Sequence, residues 1–168
     1  IVERHLQLAG TICSEAIGRH IDLVERVRSR RESSLETFAE DIGLIIAAEM
    51  AQLELLDQFF GTDYRGARFS MGYSLGEITA LVAGGTFVVE QVLPPLVQLA
   101  GDCADLARDA AMGILFSRGP EIDPVAVQRL CIEINTEGRG VIAVSSYLSP
   151  NTMLLIGRKN TLARFKDR

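Results

Sequence analysis

The stretch that decides the fold is Met71-Gly72-Tyr73-Ser74-Leu75-Gly76-Glu77. Its central five residues form a G-x-S-x-G pentapeptide between a short strand-like run and a helix-like run. This pattern is typical of a nucleophile elbow, a sharp strand-to-helix turn that exposes a serine hydroxyl. Glycine is expected on both sides of Ser74, because side chains there would clash in so tight a turn. We therefore predict that Ser74 is a nucleophile and that the next helix offers free N–H groups to an oxyanion.

A simpler interpretation of the same residues involves no chemistry. Ser74-x-x-Glu77 also matches a capping box, in which the serine accepts a hydrogen bond from a backbone N–H and the glutamate reaches back. The two interpretations are compatible, since a nucleophile elbow is itself the start of a helix.

Length and composition restrict the class of protein. The 168 residues suffice for one domain, or for one domain and part of a second. With 48% hydrophobic and 23% charged residues, the composition is typical of a soluble globular protein. No apolar run reaches the ~18 residues of a membrane span. The net charge of −5 argues against a nucleic-acid partner, and the arginine cluster at residues 26–31 is interpreted as a solvated helix end.

The three cysteines, Cys13, Cys103 and Cys131, are widely spaced and form no metal or redox motif. Three unpaired thiols favour a reducing, cytoplasmic compartment. The chain starts at Ile1 and ends at Arg168 within a polar, helix-like stretch, so we expect it to be a fragment of a longer protein.

Hydrophobic periodicity predicts a helix-rich first part. Helices are expected over residues 1–32, 35–60 and 75–83, with a short strand at 67–71. A helical turn at 88–93 should be interrupted by Pro94-Pro95, which would start a new helix reaching about Ala110. The buried side of the second helix is predicted to carry Phe38, Ile42, Ile45, Ile46, Met50, Leu53 and Leu56.

The last third of the chain alternates between strand and helix signals. Strands are predicted at 112–117, 141–147 and 152–156, and helices at 124–137 and from about Asn160. Asp123 is a suitable cap for the first of these helices, and the last two strands should form a hairpin. The order β-α-β-β-α corresponds to most of a ferredoxin-like unit without its last strand.

Residues 72–85, GYSLGEITALVAGG, closely resemble the active-site segment of malonyl-CoA:acyl-carrier-protein transacylases and of the acyltransferase domains of fatty-acid and polyketide synthases. That segment has the form G-H-S-x-G-E, followed by a helix of small residues that ends in A-A-G or A-G-G. Residues 141–157 are similar to the family's hairpin, in which N-S-P-x-Q precedes an apolar strand and a glycine.

The resemblance implies an α/β fold in which a ferredoxin-like small subdomain is inserted into an α/β-hydrolase-like large subdomain. Residues 1–111 would be part of the large subdomain and would carry the nucleophile elbow. Residues 112–168 would be part of the small subdomain.

The resemblance also implies ping-pong acyl transfer in fatty-acid or polyketide synthesis. Ser74 would attack an acyl-CoA thioester, and the acyl group would then pass to the phosphopantetheine thiol of an acyl carrier protein. Leu75 would donate its N–H to the oxyanion, and the substrate site would include Gly72, Tyr73, Gly76 and Glu77. No metal and no cofactor are expected apart from acyl-CoA as substrate and the carrier's phosphopantetheine. Membranes and nucleic acids are not expected partners, whereas a larger synthase is a candidate assembly.

The chain departs from the family pattern at the catalytic base and at the oxyanion loop. No histidine follows Ser74, and His5 and His20 both lie upstream, where surface or structurally bonded histidines are expected. The N-terminal G-Q-G-x-Q loop, which supplies the other oxyanion N–H in the family, is absent.

Two further departures concern the acyl group. Members that take dicarboxylic acyl groups place an arginine before a glycine on a helix after the elbow, whereas this chain has Gln98-Leu99-Ala100-Gly101 there. Arg108 lies about two turns further on, so a monocarboxylic group such as acetyl is favoured. Tyr73 replaces the histidine that usually precedes the serine, which should alter acyl selection.

Two other functions remain open. The chain could be a non-catalytic, acyltransferase-like scaffold domain of a larger synthase, with Ser74 kept only as a helix cap. It could also be a serine esterase or lipase of the α/β-hydrolase type. Glu77, the small-residue helix after it and the hairpin at 141–157 argue against the esterase.

Overall fold

The computed structural model describes all 168 residues, which divide into two units, residues 1–104 and 105–168. The first unit is helical, and its last helix continues across the division. The helices are α1 (Val2–Ile17), α2 (Leu23–Arg28), α3 (Phe38–Phe60), α4 (Leu75–Ala83), α5 (Val89–Gln98) and α6 (Ala100–Ala107). Single 3₁₀ turns at Leu35–Thr37 and Tyr64–Gly66 flank α3.

Helix α3 lies at the centre of the first unit, where it packs against α1, α4 and α5. Its buried Ile42, Ile46 and Met50 share one apolar core with Leu6 of α1 and Leu93 of α5. Burying each such side chain contributes about 1.5–3 kcal/mol. The scaffold that carries α4 therefore depends mainly on this core.

The predicted buried side of α3 is wrong at two positions. Ile45 is 44% exposed because it lies about 100° around the helix from buried Ile46. Leu56 is 39% exposed because burial falls off after Ala51, towards the end of the helix. Neither α3 nor any other helix has the length and apolar character needed to cross a membrane.

The prediction of one helical stretch over residues 1–32 is wrong, because the chain turns between α1 and α2. Gly18 ends α1 in the left-handed region, with φ 68°. Asp22 then caps α2 by accepting a hydrogen bond from the Glu25 N–H at 2.8 Å. Gly61 ends α3 with φ 64°, as predicted.

The proline pair lies inside α5 and does not interrupt it, contrary to the prediction. Two prolines remove two helical N–H donors and are unfavourable in a helix interior. The helix continues through them because Leu93 and Val97, one turn apart, are both fully buried in the core. The helix expected to reach Ala110 is interrupted at Leu99, where α5 ends and α6 begins.

The strand predicted at residues 67–71 is not formed. From Arg68 to Gly72 no backbone N–H or C=O makes a hydrogen bond. A strand needs a neighbour to pair with, and the first unit contains no other strand. Phe69 and Met71 are consequently 86% and 90% exposed.

The second unit has the predicted β-α-β-β-α order. Its elements are β1 (Ala110–Phe116), α7 (Pro124–Thr136), β2 (Ile142–Ser149), β3 (Thr152–Arg158) and α8 (Lys159–Lys166). The strands form an antiparallel sheet in the order β1-β3-β2, with Ile114 opposite Leu154 and Val144 opposite Leu155. Asp123 caps α7 as predicted, because its Oδ1 accepts from the Val125 N–H at 2.9 Å.

One face of this sheet is covered by α7 and α8. Val127, Cys131 and Ile134 of α7 pack there against buried residues of β2 and β3. The alternate residues Met112 and Ile114 of β1 point to the other face and are 67% and 73% exposed. The small sheet therefore has one buried face and one open apolar face.

The three cysteines are free thiols, as predicted. Burial, followed by the negative charge of Glu40, raises the pKa of the Cys13 thiol to about 11. Burial also raises the pKa of Cys131, whereas Cys103 is exposed. Both buried thiols therefore remain protonated and unreactive at neutral pH.

The arginine cluster at residues 26–31 is not simply a solvated helix end, because Arg26 is only 3% exposed. Its Nη1 lies 2.8 Å from Oε2 of Glu40, and its Nη2 contacts Asp41. Nη2 also donates to the Thr37 hydroxyl at 3.2 Å. The Arg26 guanidinium thus joins α2 to the start of α3.

Removal of this buried cation should destabilise the first unit. We expect Arg26→Ala to lower the free energy of opening of α2 and α3 by about 2–4 kcal/mol, because Asp41 would lose its only cation and Glu40 would keep only Arg19 and Arg31, which are exposed. Arg28→Ala is the matched control, since Arg28 is exposed and pairs with exposed Glu3 at 3.3 Å. That change should cost at most about 1 kcal/mol. Native-state hydrogen exchange of the helix amides measures both, and equal effects would contradict the assignment.

Candidate active site at the Ser74 turn

Ser74 occupies a strained backbone conformation at the start of α4. Its φ is 56° and its ψ is −121°, a region that residues with a Cβ rarely adopt. The only other non-glycine residue with a positive φ is Arg30. Strain of this kind persists where the surroundings enforce it, and it is concentrated at functional sites.

The Ser74 side chain is free. The residue is exposed, and its hydroxyl makes no hydrogen bond with the protein. The capping box is therefore not formed, and the interpretation of Ser74 as a side-chain cap is wrong. At a φ of 56° the side chain does not accept from the first helical N–H groups, so only the Ser74 carbonyl bonds to the Glu77 N–H, at 3.0 Å.

The two glycines of the pentapeptide are not equivalent. A Cβ on Gly72 would overlap the carbonyl group of Gly76 and would lie 2.6 Å from the Glu77 nitrogen. A Cβ on Gly76 would meet only Oε1 of Glu49, at an ordinary 3.8 Å. The expectation that both glycines prevent a clash is thus correct for Gly72 and wrong for Gly76, because the backbone approaches on one side of the turn only.

The N–H of Leu75 is available to a ligand. Leu75 is the first residue of α4, and its N–H makes no hydrogen bond. The N–H groups of Gly76 and Glu77 are turned back to the carbonyls of Tyr73 and Ser74, both at 3.0 Å. One free donor therefore stands beside the Ser74 hydroxyl, at the positive end of the helix.

Two clefts border the segment that enters the turn. The larger, of about 800 Å³, is lined by Gly72, Tyr73 and Gly76 together with residues of α3, α4 and the incoming segment. The smaller, of about 310 Å³, is lined by Glu77 and shares Gly72 with the larger cleft. Ser74 lines neither cleft, so these residues alone do not form an acyl pocket around its hydroxyl.

The histidines have structural positions, as expected. His5 Nε2 lies 2.8 Å from Oε2 of Glu54 and links α1 to α3. This hydrogen bond is the main reason why the pKa of Glu54 is lowered. His20 is exposed in the turn between α1 and α2. Neither histidine contacts Ser74, so neither is placed to act as its base.

Of the residues considered for acyl selection, only Arg108 carries a charge. Gln98 is exposed at the end of α5, and Ala100 is 2% exposed within the apolar core. Arg108 belongs to the second unit, where its Nε lies 3.1 Å from Oδ1 of Asp105. No group of three or more His, Cys, Asp or Glu side chains is arranged to hold a metal ion.

Two side chains next to the turn were not predicted. Thr79 of α4 is 5% exposed and donates its hydroxyl to Oε2 of Glu49 on α3. The sequence does carry a signal for this pair, because Glu49 is the only charged residue between Asp41 and Glu54 in a mostly apolar run. A carboxylate in such a run needs a polar partner.

The glycine asymmetry can be tested directly. Gly72→Ala should lower the free energy of unfolding by about 1–3 kcal/mol, because backbone atoms must move to make room for the methyl group. The control Gly76→Ala should change it by less than about 1 kcal/mol, since a helical glycine with open space tolerates alanine. Urea unfolding followed by circular dichroism compares the two variants. Equal stability would show that the Gly72 contact is not a constraint.

No protein-family model and no curated protein sequence matches this chain. Solved structures of malonyl-CoA:acyl carrier protein transacylases do match. FabD from Acinetobacter baumannii has a TM-score of 0.72 at 22% identity, over 96% of this chain and 49% of that protein.

Two more structures agree with this result. The malonyl-CoA:acyl carrier protein transacylase from Clostridium perfringens has a TM-score of 0.69 at 24% identity, over 98% of this chain and 49% of that protein. A malonyl-transacylase solved in complex with its type II polyketide synthase acyl carrier protein has a TM-score of 0.72 at 23% identity, with coverage of 98% and 50%. The chain thus spans about half the length of the structures it matches. Its mixed α/β class is confirmed, and the predicted resemblance to the malonyl-CoA:acyl carrier protein transacylases is confirmed at the level of the fold.

Proposed function

We propose that this chain is part of a serine-dependent acyltransferase, which moves an acyl group from acyl-CoA to the thiol of an acyl carrier protein. The observation that carries the proposal is the exposed, unbonded hydroxyl of Ser74, held at φ 56° beside the free N–H of Leu75. The fold likeness to malonyl-CoA:acyl carrier protein transacylases supports the same class of reaction.

In the proposed reaction, Oγ of Ser74 attacks the thioester carbonyl of acyl-CoA. The negative charge that develops on the carbonyl oxygen is stabilised by the Leu75 N–H, and one such donor is typically worth about 10²–10³ in rate. The thioester C–S bond then breaks, CoA leaves as the thiol with the proton from Ser74, and an acyl-serine ester remains. The phosphopantetheine thiol of the carrier protein attacks this ester, takes the acyl group and returns the proton to Ser74.

The reaction needs a general base, since an unassisted serine hydroxyl is a weak nucleophile. No residue of the described chain contacts the Ser74 hydroxyl, so we place the base in a part of the fold that these 168 residues do not span. The second oxyanion donor is placed there for the same reason. In this scheme residues 1–111 belong to the large subdomain and residues 112–168 to the small one.

The substrate-binding residues in this proposal are four close neighbours of Ser74. Gly72 lets the chain reverse, Tyr73 offers an exposed phenol at the mouth of the larger cleft, and Glu77 faces the smaller cleft. Gly76 keeps the first turn of α4 free of a side chain. Acyl-CoA is the substrate in this proposal, and no further cofactor is invoked.

A scaffold role is the second candidate, because no base contacts Ser74. It is weakened by the missing side-chain cap, since strain at Ser74 without a capping bond has no evident structural benefit. The esterase alternative rests on the pentapeptide alone, while the fold comparison favours the transacylases.

The serine assignment predicts a covalent intermediate. The full-length protein carrying these residues, incubated with acyl-CoA, should gain the mass of one acyl group, and Ser74→Ala should abolish the gain. Ser117→Ala is the control, because the Ser117 hydroxyl donates to the Pro120 carbonyl at 2.7 Å in the second unit. An adduct that persists in Ser74→Ala would disprove the assignment. No adduct on a demonstrably folded protein would favour the scaffold.

The acyl preference follows from Gln98-Leu99-Ala100-Gly101, which has no arginine before its glycine. We expect acetyl-CoA to load faster than malonyl-CoA by about 10- to 100-fold, because an unpaired carboxylate loses a charge-assisted hydrogen bond. Competition between the two thioesters, read by intact mass, measures the ratio. Malonyl loading that is as fast as acetyl loading, or faster, would contradict the prediction. If Arg108→Ala then abolished the malonyl loading, Arg108 would be identified as the partner of the malonyl carboxylate.

A further inference from the structure

We propose that Glu49 is a positioning residue for Ser74: through its hydrogen bond with Thr79, it holds α4 where the Ser74 turn keeps its strained conformation. The description of Ser74 as a nucleophile rests on the proposed function, whereas the positioning of the turn does not. Glu49 touches no substrate in this proposal and acts only through α4.

The contacts of Glu49 reach the first two turns of α4 from α3. Oε2 accepts the hydroxyl of Thr79, which is 5% exposed. Oε1 lies 3.8 Å from the position that a Cβ of Gly76 would occupy. One carboxylate therefore bonds to Thr79 of α4 and faces the open space beside Gly76, one turn earlier in the same helix.

The Ser74 turn needs such an external support. Its local hydrogen bonds, Gly76 N–H to Tyr73 and Glu77 N–H to Ser74, lie within the turn and do not fix α4 relative to α3. Two side-chain hydrogen bonds reach α4 from outside. Ser70 Oγ donates to the Ala80 carbonyl at 2.8 Å and ties α4 to the incoming segment. The Glu49–Thr79 bond ties α4 to the central helix of the core.

Apolar packing alone would leave α4 more freedom. Leu75, Ile78 and Val82 pack against the core of the first unit, and such contacts are not directional. A hydrogen bond to a buried threonine has a preferred distance and angle, so it restricts both the rotation of the helix about its axis and its position along that axis. The strained φ of Ser74 persists only where its surroundings enforce it, so loss of this bond should relax the turn.

The charge of Glu49 also needs an explanation, and positioning provides one. Glu49 is half-buried on the wall of the larger cleft, and it forms no salt bridge. The carboxylates of Glu40 and Asp41, in the first turn of the same helix, are paired with Arg26. A half-buried carboxylate without a cation loses part of its hydration, and the hydrogen bond from Thr79 replaces some of that loss.

The test measures the Ser74 backbone in the 168-residue chain by NMR. The Cα and Cβ chemical shifts of Ser74 and its HN–Hα coupling report whether φ remains positive. We expect Thr79→Val, which removes only the hydroxyl, to change these signals. Thr79→Ser and Glu49→Gln, which keep a hydrogen bond between the two helices, should retain them. Thr161→Val is the matched control, since Thr161 is also fully buried but lies in the second unit.

In the full-length protein, Thr79→Val should also lower the rate of Ser74 acylation by about 10- to 100-fold, because a small displacement of a reacting group has effects of that size. Unchanged Ser74 signals in Thr79→Val, with or without a lower melting temperature, would overturn the proposal. If Thr79→Val does not fold, Glu49→Ala carries the same test with the same expected change. If Ser74→Ala fails to abolish the acyl adduct, the proposed function fails, while the NMR signals still decide whether Glu49 positions the turn.

Discussion

The close approach of the Gly72 and Gly76 backbones is the constraint on which the Ser74 turn depends. The chain can reverse there only because Gly72 has no Cβ, and the reversal places Ser74 at φ 56°. The same geometry turns the serine side chain away from the helix end, so its hydroxyl makes no capping bond. The Leu75 N–H is free for a more general reason, because the first N–H of a helix has no partner within the helix. A free hydroxyl therefore lies next to a free donor, whereas an ordinary cap would have engaged the hydroxyl.

A strained turn requires a rigid support, and the first unit provides it through α3. The apolar core formed by Ile46, Met50 and Leu93 immobilises this helix, and Arg26 fastens its start to α2. The second half of α3 then presents Glu49 to α4. The buried ion pairs of Arg26 thus act at the start of α3, where they stabilise the scaffold. The Glu49–Thr79 bond acts further along the same helix, where it supports the turn.

In the proposed acyltransferase, the nucleophile and one oxyanion donor are residues of this chain. The base and the second oxyanion donor are placed in parts of the fold that the chain does not span. The nucleophile and one oxyanion donor belong to a single turn, so they are formed by local geometry. A base must approach the hydroxyl from another part of a fold, and such contacts come from residues distant in sequence. The chain spans about half the length of the transacylase structures that it matches, which is consistent with this division.

Local patterns in the sequence were sufficient for much of the fold. The limits of α4, the glycine that ends α3, the Asp123 cap and the β2–β3 hairpin depend on neighbouring residues, so each could be predicted from a short stretch. The pentapeptide likewise identified the position of the turn. Each of these features depends on a hydrogen bond or a backbone preference that involves residues only a few positions apart.

Several of the wrong predictions concern contacts between distant residues. Pro94 and Pro95 remain inside α5 because the core buries the helix on both sides of them, and residues 67–71 do not form a strand because no other strand lies beside them. Arg26 is buried because α3 brings two carboxylates to it. Ser74 does not cap α4 with its side chain, because its backbone is held at φ 56°. The sequence by itself determined where α3, α4, α7, the strands of the small sheet and the turn would form, because propensity and capping act locally. Only the tertiary structure decided which side chains are buried, paired or free, since those states depend on what the fold places next to them.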